Sequence, residues 1–270
     1  MVCRRDIVWV WILLLACRLL PAALAADEET TSPAARLWEL GQAAMRDGEV
    51  DAGIILYQQS LALDPELTRN HLSLAAAYME KKDAVQAGDH LARYVEAHPE
   101  QHAIRARYAE LQVRLQRFPE ARKQFECLIA DAQEQGPQAV SGMIEGHSRL
   151  VELARQAKDA YTEHLHRGIG LFLLARQRRT LPDPDGELPS EALLCQAAAE
   201  LTLAQAERPD DARPCWYLYE VWTQLGQRQP ALCRLRQAEA AALFSYLTPA
   251  ERRGLQFAYA HYRAEQARDG

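Results

Sequence analysis

The chain has 270 residues, 49% of them apolar and 25% charged, which supplies a sizeable core and excludes a disordered polymer. Its net charge of −6 opposes phosphate backbones, so nucleic acid is excluded as a partner. Alanine and leucine dominate, β-branched residues are sparse, and Gly and Pro come at intervals, a composition that predicts helices.

Residues 1–26 differ from the rest. Arg4 and Arg5 precede an unbroken apolar run, Ile7 to Ala16, and Pro21 breaks it before Ala23-Leu24-Ala25. A basic start, an apolar stretch and small residues at a cleavage point are the three parts of a secretory signal peptide, cut after Ala25 or Ala26. The expectation is therefore an exported protein, periplasmic or extracellular once the leader is removed. Three alternatives stay open. Ile7 to Ala26 just reaches across a bilayer and could remain as an anchor, with Arg18 inside the span at a cost of about 2.5–3.5 kcal/mol. Leu14-Leu15-Ala16-Cys17 resembles a bacterial lipobox, and Arg4-Arg5-Asp6-Ile7-Val8 a twin-arginine signal. Only an uncleaved leader or a lipid on Cys17 would bring the protein to a membrane. Arg4, Arg5, Arg18 and Asp6 together carry +2, so cleavage takes the net charge from −6 to −8.

After a short linker, 27–33, the text becomes periodic. Asp64-Pro65-Glu66 and His98-Pro99-Glu100 close segments 34 residues apart. With the prolines aligned, Leu37, Leu40, Gly41 and Ala44 fall on His71, Leu74, Ala75 and Tyr78; Gly53, Tyr57 and Ser60 fall on Ala87, Leu91 and Tyr94. Another step reaches Arg105, Tyr108, Ala109 and Gln112, then Ala121, Phe125 and Leu128. Each unit holds two apolar stripes at i, i+3, i+4, i+7 spacing around a polar break such as Arg46-Asp47-Gly48-Glu49, the pattern of a helical hairpin. Small residues recur where the helices cross, with larger side chains filling the gap from the opposite helix.

The period, the Leu-Gly or Leu-Ala pair, the small residue twelve positions on, the aromatic or leucine four further and the closing proline together resemble the tetratricopeptide repeat. Residues 34–135 fit three units, the third less well because Arg105 and Gln112 stand where apolar residues are expected. Residues 136–211 read as divergent helical hairpins, with helices at 138–156 and 158–179, a break at Leu181 to Gly186, and a helix from Pro189-Ser190 to Glu207. The repeat returns at 212–245. In 246–270, Thr248-Pro249-Ala250-Glu251 resembles a capping box and opens a last helix that covers the final unit. The resemblance implies an all-α, right-handed solenoid with a C-terminal capping helix. It also implies a monomer that binds a protein or peptide partner rather than an enzyme.

The residues offer no chemistry of their own: there is no phosphate-binding glycine loop, no GxSxG and no HExxH. No cofactor and no metal are expected. His164 and His166 point about 200° apart on a helix, and Gly186 comes too soon after Asp183 for an EF-hand loop. An enzyme would need a pocket in the divergent 136–211 region. Outside the leader, Cys127, Cys195, Cys215 and Cys233 read as free, buried packing residues, with Cys215 and Cys233 the pair best placed to bridge.

The binding expectation rests on a second row along the first helix of each unit: Trp38, Gln42 and Met45; Leu72, Ala76 and Met79; Ala106, Glu110 and Val113; Trp216, Glu220 and Thr223. The resemblance places this row in the concave groove that receives extended peptides or partner helices, and Trp and Met suit an adaptable surface. The other reading has Trp38 and Met45 packing on a neighbouring unit. Of the lysine, asparagine and arginine clamp that some family members hold against chaperone C-termini, only Arg107 has a counterpart here; Trp38, Gln42, Ser73 and Ala103 fill the other places. The alternative to a free adaptor is a membrane-tethered or lipoprotein-type subunit of an envelope assembly.

Overall fold

The computed structural model describes residues 32–180 and 190–269; the leader and the acidic 183–187 turn lie outside them. Among the described residues there are twelve α-helices and no strand. They run α1 (Pro33–Arg46), α2 (Val50–Leu63), α3 (Arg69–Glu80), α4 (Ala84–Ala97), α5 (His102–Arg114) and α6 (Phe118–Gln135). A 3-10 turn at Pro137–Ala139 leads to α7 (Val140–Ala157), α8 (Ala160–Thr180), α9 (Ser190–Glu207), α10 (Ala212–Gln224), α11 (Arg228–Ala241) and α12 (Pro249–Asp269). Each helix packs on the one before it and the one after, so the chain forms the expected all-α solenoid of helical hairpins, ending in a capping helix.

Local sequence explains the boundaries. Ser32 caps α1 by accepting the Ala35 N–H at 3.2 Å, with Pro33 in the first turn, where a missing N–H costs nothing. Asp83 and Asp211 cap α4 and α10 in the same way. Between the two helices of each hairpin the backbone passes once through the left-handed region. The residue there is Gly48 (φ 82°), Lys82 (62°), Gln116 (58°), Lys158 (57°) and Gly226 (71°) in the five successive hairpins α1–α2, α3–α4, α5–α6, α7–α8 and α10–α11. Glycine holds this conformation without strain and the other three do not.

The hairpins close by size complementarity. A Cβ on Gly41 would stand 2.6 Å from the Tyr57 ring, and one on Gly53 would stand 2.8 Å from the Met45 sulfur. Tyr57 and Met45 thus fill the space the glycines leave. Three small cores, each shared between successive hairpins and the last reaching Leu150 and Leu153 of α7, give way to a single larger core around Leu165, Ile169, Phe172, Leu201 and Leu218. Leu40 departs from expectation. Its place on the apolar stripe predicts burial, yet it is 56% exposed, whereas its equivalent Leu74 is 0% exposed and Tyr108 is buried. Those two are covered by the preceding unit, and among the described residues nothing precedes α1. Arg105 and Gln112 hold their core positions as buried polar residues.

Among the described residues the four thiols, Cys127, Cys195, Cys215 and Cys233, are free. Cys215 is buried, but Cys195 and Cys233 are exposed, against the expectation that all four are core material.

Candidate functional site

The row proposed from sequence divides into an open part on α1, α3 and α5 and a covered part on α10. On α1, Trp38 is half-buried. Its indole N–H donates to Ser73 Oγ at 3.0 Å, and the Arg69 guanidinium lies 4.2 Å over its ring. Gln42 donates to the same hydroxyl at 3.3 Å. Trp38 therefore does both things weighed for it, packing on the next unit with part of its surface and presenting the rest. Met45 turns into the hairpin over Gly53, so it belongs to the core of unit one rather than to the binding surface.

On α3, Leu72 is half-buried and Met79 is 37% exposed. On α5, Arg107 is exposed, and Glu110 pairs with Arg149 of α7 at 3.1 Å. A register repeats along these helices. Ser73, Arg107 and Arg149 hold the same place relative to the turn residues Lys82, Gln116 and Lys158; Ser73 meets Trp38 and Gln42, and Arg149 meets Glu110. The open strip thus carries the aromatic and aliphatic surface of Trp38, Leu72 and Met79 on helices that also present the Ser73 hydroxyl and the Arg69 and Arg107 guanidinium groups.

Trp216 is where the sequence reading fails. It is 8% exposed, because α12 returns over α10 and sets Gly254 against the indole; a Cβ there would stand 2.8 Å from Trp216 Cζ2. The start of α12 crosses to α6 as well, where Thr248 donates to Gln133 at 2.7 Å and Arg253 pairs with Glu134 at 2.7 Å. Over the last hairpin, the face equivalent to the open row on α1 is covered by the protein's own helix. Its first turn is fixed by the expected capping box, Thr248 N to Glu251 Oε2 at 2.9 Å and Glu251 N to Thr248 Oγ1 at 3.2 Å. The same Glu251 accepts from Arg213 Nη2 at 3.1 Å and from the Tyr217 hydroxyl at 2.9 Å, all buried.

The sequence reading also missed a polar pair that ties the helices of successive hairpins together, always 19 residues apart. His71 and His90 meet Nδ1 to Nδ1 at 3.0 Å, Arg105 donates to Gln124 at 3.2 Å, and His147 and His166 meet at 2.9 Å. Leu37 and Leu56 occupy these places in unit one. The signal was present as matched polar residues at one repeat position. His164, paired in sequence with His166, instead bonds Glu200 at 2.6 Å. Among the described residues no three His, Cys, Asp or Glu converge as metal ligands, and no helix is long and apolar enough to cross a membrane.

Residues 78–142 match the family model described as tetratricopeptide repeat. No curated protein matches the chain. Among solved structures the chain is similar to MamA, at 13% identity over 77% of this chain and 91% of that one, with a TM-score of 0.37. It is similar also to PilW, a widely conserved type IV pilus biogenesis factor, at 16% identity over 83% and 99% of the two chains and a TM-score of 0.34. YrrB, a TPR protein with an unusual peptide-binding site, aligns at 15% identity over 79% and 89%, with a TM-score of 0.30.

Proposed function

We propose that the protein is an exported interaction scaffold which receives an extended peptide or partner helix along the open strip of α1, α3 and α5. One observation carries this reading. The strip keeps Trp38, Leu72 and Met79 partly in solvent, with Arg69 over the Trp38 ring and Arg107 exposed on α5, while the equivalent surface at Trp216 is already filled by α12. A groove that the chain's own helix fits at one end has the shape to hold another segment where it is open. Export is supported by the three-part leader, and the lipobox-like Leu14 to Cys17 keeps the tethered, lipoprotein-type subunit as the alternative.

The test for binding uses immobilised protein spanning 27–270 and an envelope extract of the source organism. Trp38→Ala with Met79→Ala should abolish capture of the partner that wild type retains while lowering the melting temperature by only a few degrees, since Trp38 is partly packed on the next unit. Undiminished capture by that variant rejects the strip. Intact mass of the envelope-fraction protein addresses export: a start at Ala26 or Asp27 fits cleavage, and a lipid on Cys17 selects the tethered form.

A further inference from the structure

The four large apolar side chains most open to solvent among the described residues fall in one stretch. Leu243, Phe244 and Tyr246 lie in the link between α11 and α12, and Phe257 lies two turns into α12; they are 69% to 87% exposed. The link enters α12 through Leu247 and Thr248, both buried, and Ser245 fastens it to the start of α10 by accepting the Ala212 N–H at 2.7 Å. The exposed side chains are thus carried by a docked segment, at the same end of the solenoid as the outer face of α12. A lone apolar side chain in water is ordinary, but four together mark a surface that meets something.

The charges around them are of one sign. Glu251, Leu255, Ala258 and Tyr262 turn α12 towards the core at i, i+4, i+7, i+11 spacing. The opposite face carries Arg252, Arg253, Phe257 and Arg263, all exposed. From Ala240 to Ala264 the sequence holds those three arginines and a single acidic residue, Glu251, which is buried and paired with Arg213. Arg253 pairs with Glu134 of α6 in solvent, while Arg252 and Arg263 make no ion pair among the described residues. The whole chain is at −6, but at 0.1 M salt exposed charges are screened beyond about 10 Å. What approaches this end therefore meets the local arginines.

We propose that this end of the solenoid, the 243–246 link with the outer face of α12, is a peripheral docking surface for an anionic lipid bilayer. Protruding Leu, Phe and Tyr side chains enter the boundary between headgroups and acyl chains, and the arginines beside them meet the lipid phosphates. A peptide or partner helix is held by a groove, whereas side chains this exposed stand clear of the protein surface and fit a soft medium that closes round them. The docking asks for no rearrangement, because the residues that would enter the bilayer are already in solvent. The sequence ties membrane contact to an uncleaved leader or a lipid on Cys17. This surface needs neither, and it uses none of the residues of the strip on α1, α3 and α5.

Vesicle flotation of the 27–270 protein, which lacks the leader's apolar run, tests it. The vesicles are phosphatidylcholine alone, or phosphatidylcholine with about one-third phosphatidylglycerol. Binding to the anionic vesicles should exceed that to the neutral ones at least about ten-fold at low salt, and should fall towards the neutral level at about 1 M salt. Leu243→Ser with Phe244→Ser should weaken it at least about ten-fold, and Arg252→Gln and Arg263→Gln about five-fold each. All four sites are exposed, so the melting temperature should hold in every variant. Trp38→Ala with Met79→Ala should float as wild type does, which separates this surface from the binding strip. Equal affinity for the two kinds of vesicle, or undiminished flotation after Leu243→Ser with Phe244→Ser, overturns the proposal. Failure to float overturns it as well, and concentration-dependent sedimentation that the same two substitutions abolish would then assign the surface to a second copy of the chain.

Discussion

Arg213 and Glu251 form a buried ion pair across 38 residues of sequence, joining α10 to the first turn of α12. The carboxylate also accepts from Tyr217 and from the Thr248 N–H, so three donors converge on it. Removing one partner of such a pair strands the other charge away from water. Glu251→Ala should therefore cost about 3–5 kcal/mol in a urea melt. Arg213→Met with Glu251→Leu should recover most of that, leaving about 1 kcal/mol for the lost cap. A Glu251→Ala cost under about 1 kcal/mol would mean that water reaches the pair.

Leu40 and Leu74 hold the same repeat position with opposite burial. Leu74→Ala should destabilise by roughly 2–5 kcal/mol through the cavity it opens between units one and two. Leu40→Ala should stay within about 0.5 kcal/mol, as expected of a surface site. Equal costs would show that another segment covers α1.

The sequence exposes what is local and repeated. The helix pairs, the turn after Arg46, the small-against-large crossings and the Thr248–Glu251 box all follow from spacing within one unit, where each residue's neighbours are a few positions away. Leu40 and Trp216 were misplaced because their environment depends on something outside the unit, a missing predecessor in one case and a returning helix in the other. The contacts of α12 with α6 span 115 to 119 residues, and no periodicity encodes that separation. The open strip was half legible. Its row was identified on α1, α3 and α5, but Met45 turned inward, and the part played by Ser73 and Arg69 was hidden in the partner helix. The polar pairs 19 residues apart were there to find, and an apolar template passed over them.

Lys158 ends α7 in the left-handed conformation that Gly48 and Gly226 adopt without strain. A side chain there costs about 1 kcal/mol relative to glycine. Lys158→Gly and Lys82→Gly should each raise stability by roughly 0.5–1 kcal/mol, and Gly226→Ala should lower it by about 1 kcal/mol or more. Thermal melts of the three variants decide this. A loss on Lys158→Gly would mean that its side chain contributes a contact worth more than the strain.

The buried histidines give stability a pH dependence of fixed sign. Burial is the first cause holding His147 down to about 3 and His90 down to about 4, against an ordinary value of 6.5. As pH falls, the unfolded chain takes up protons near 6.5, while the folded chain refuses them until about 4 at His90 and about 3 at His147. Their neutral forms therefore contribute stability that is fully present above pH 6.5. It is lost progressively as the pH drops through that window toward the folded values. The slope approaches roughly 1.4 kcal/mol per pH unit for a fully buried imidazole such as His147, and it is shallower for the half-exposed His90. Melting temperatures measured from pH 7.5 down to 4.5 should be level at first and then fall below about pH 6.5. His147→Gln should flatten the decline more than His90→Gln does. A profile that is level from pH 7 to 5 in wild type would mean that both histidine pairs reach water in the folded protein.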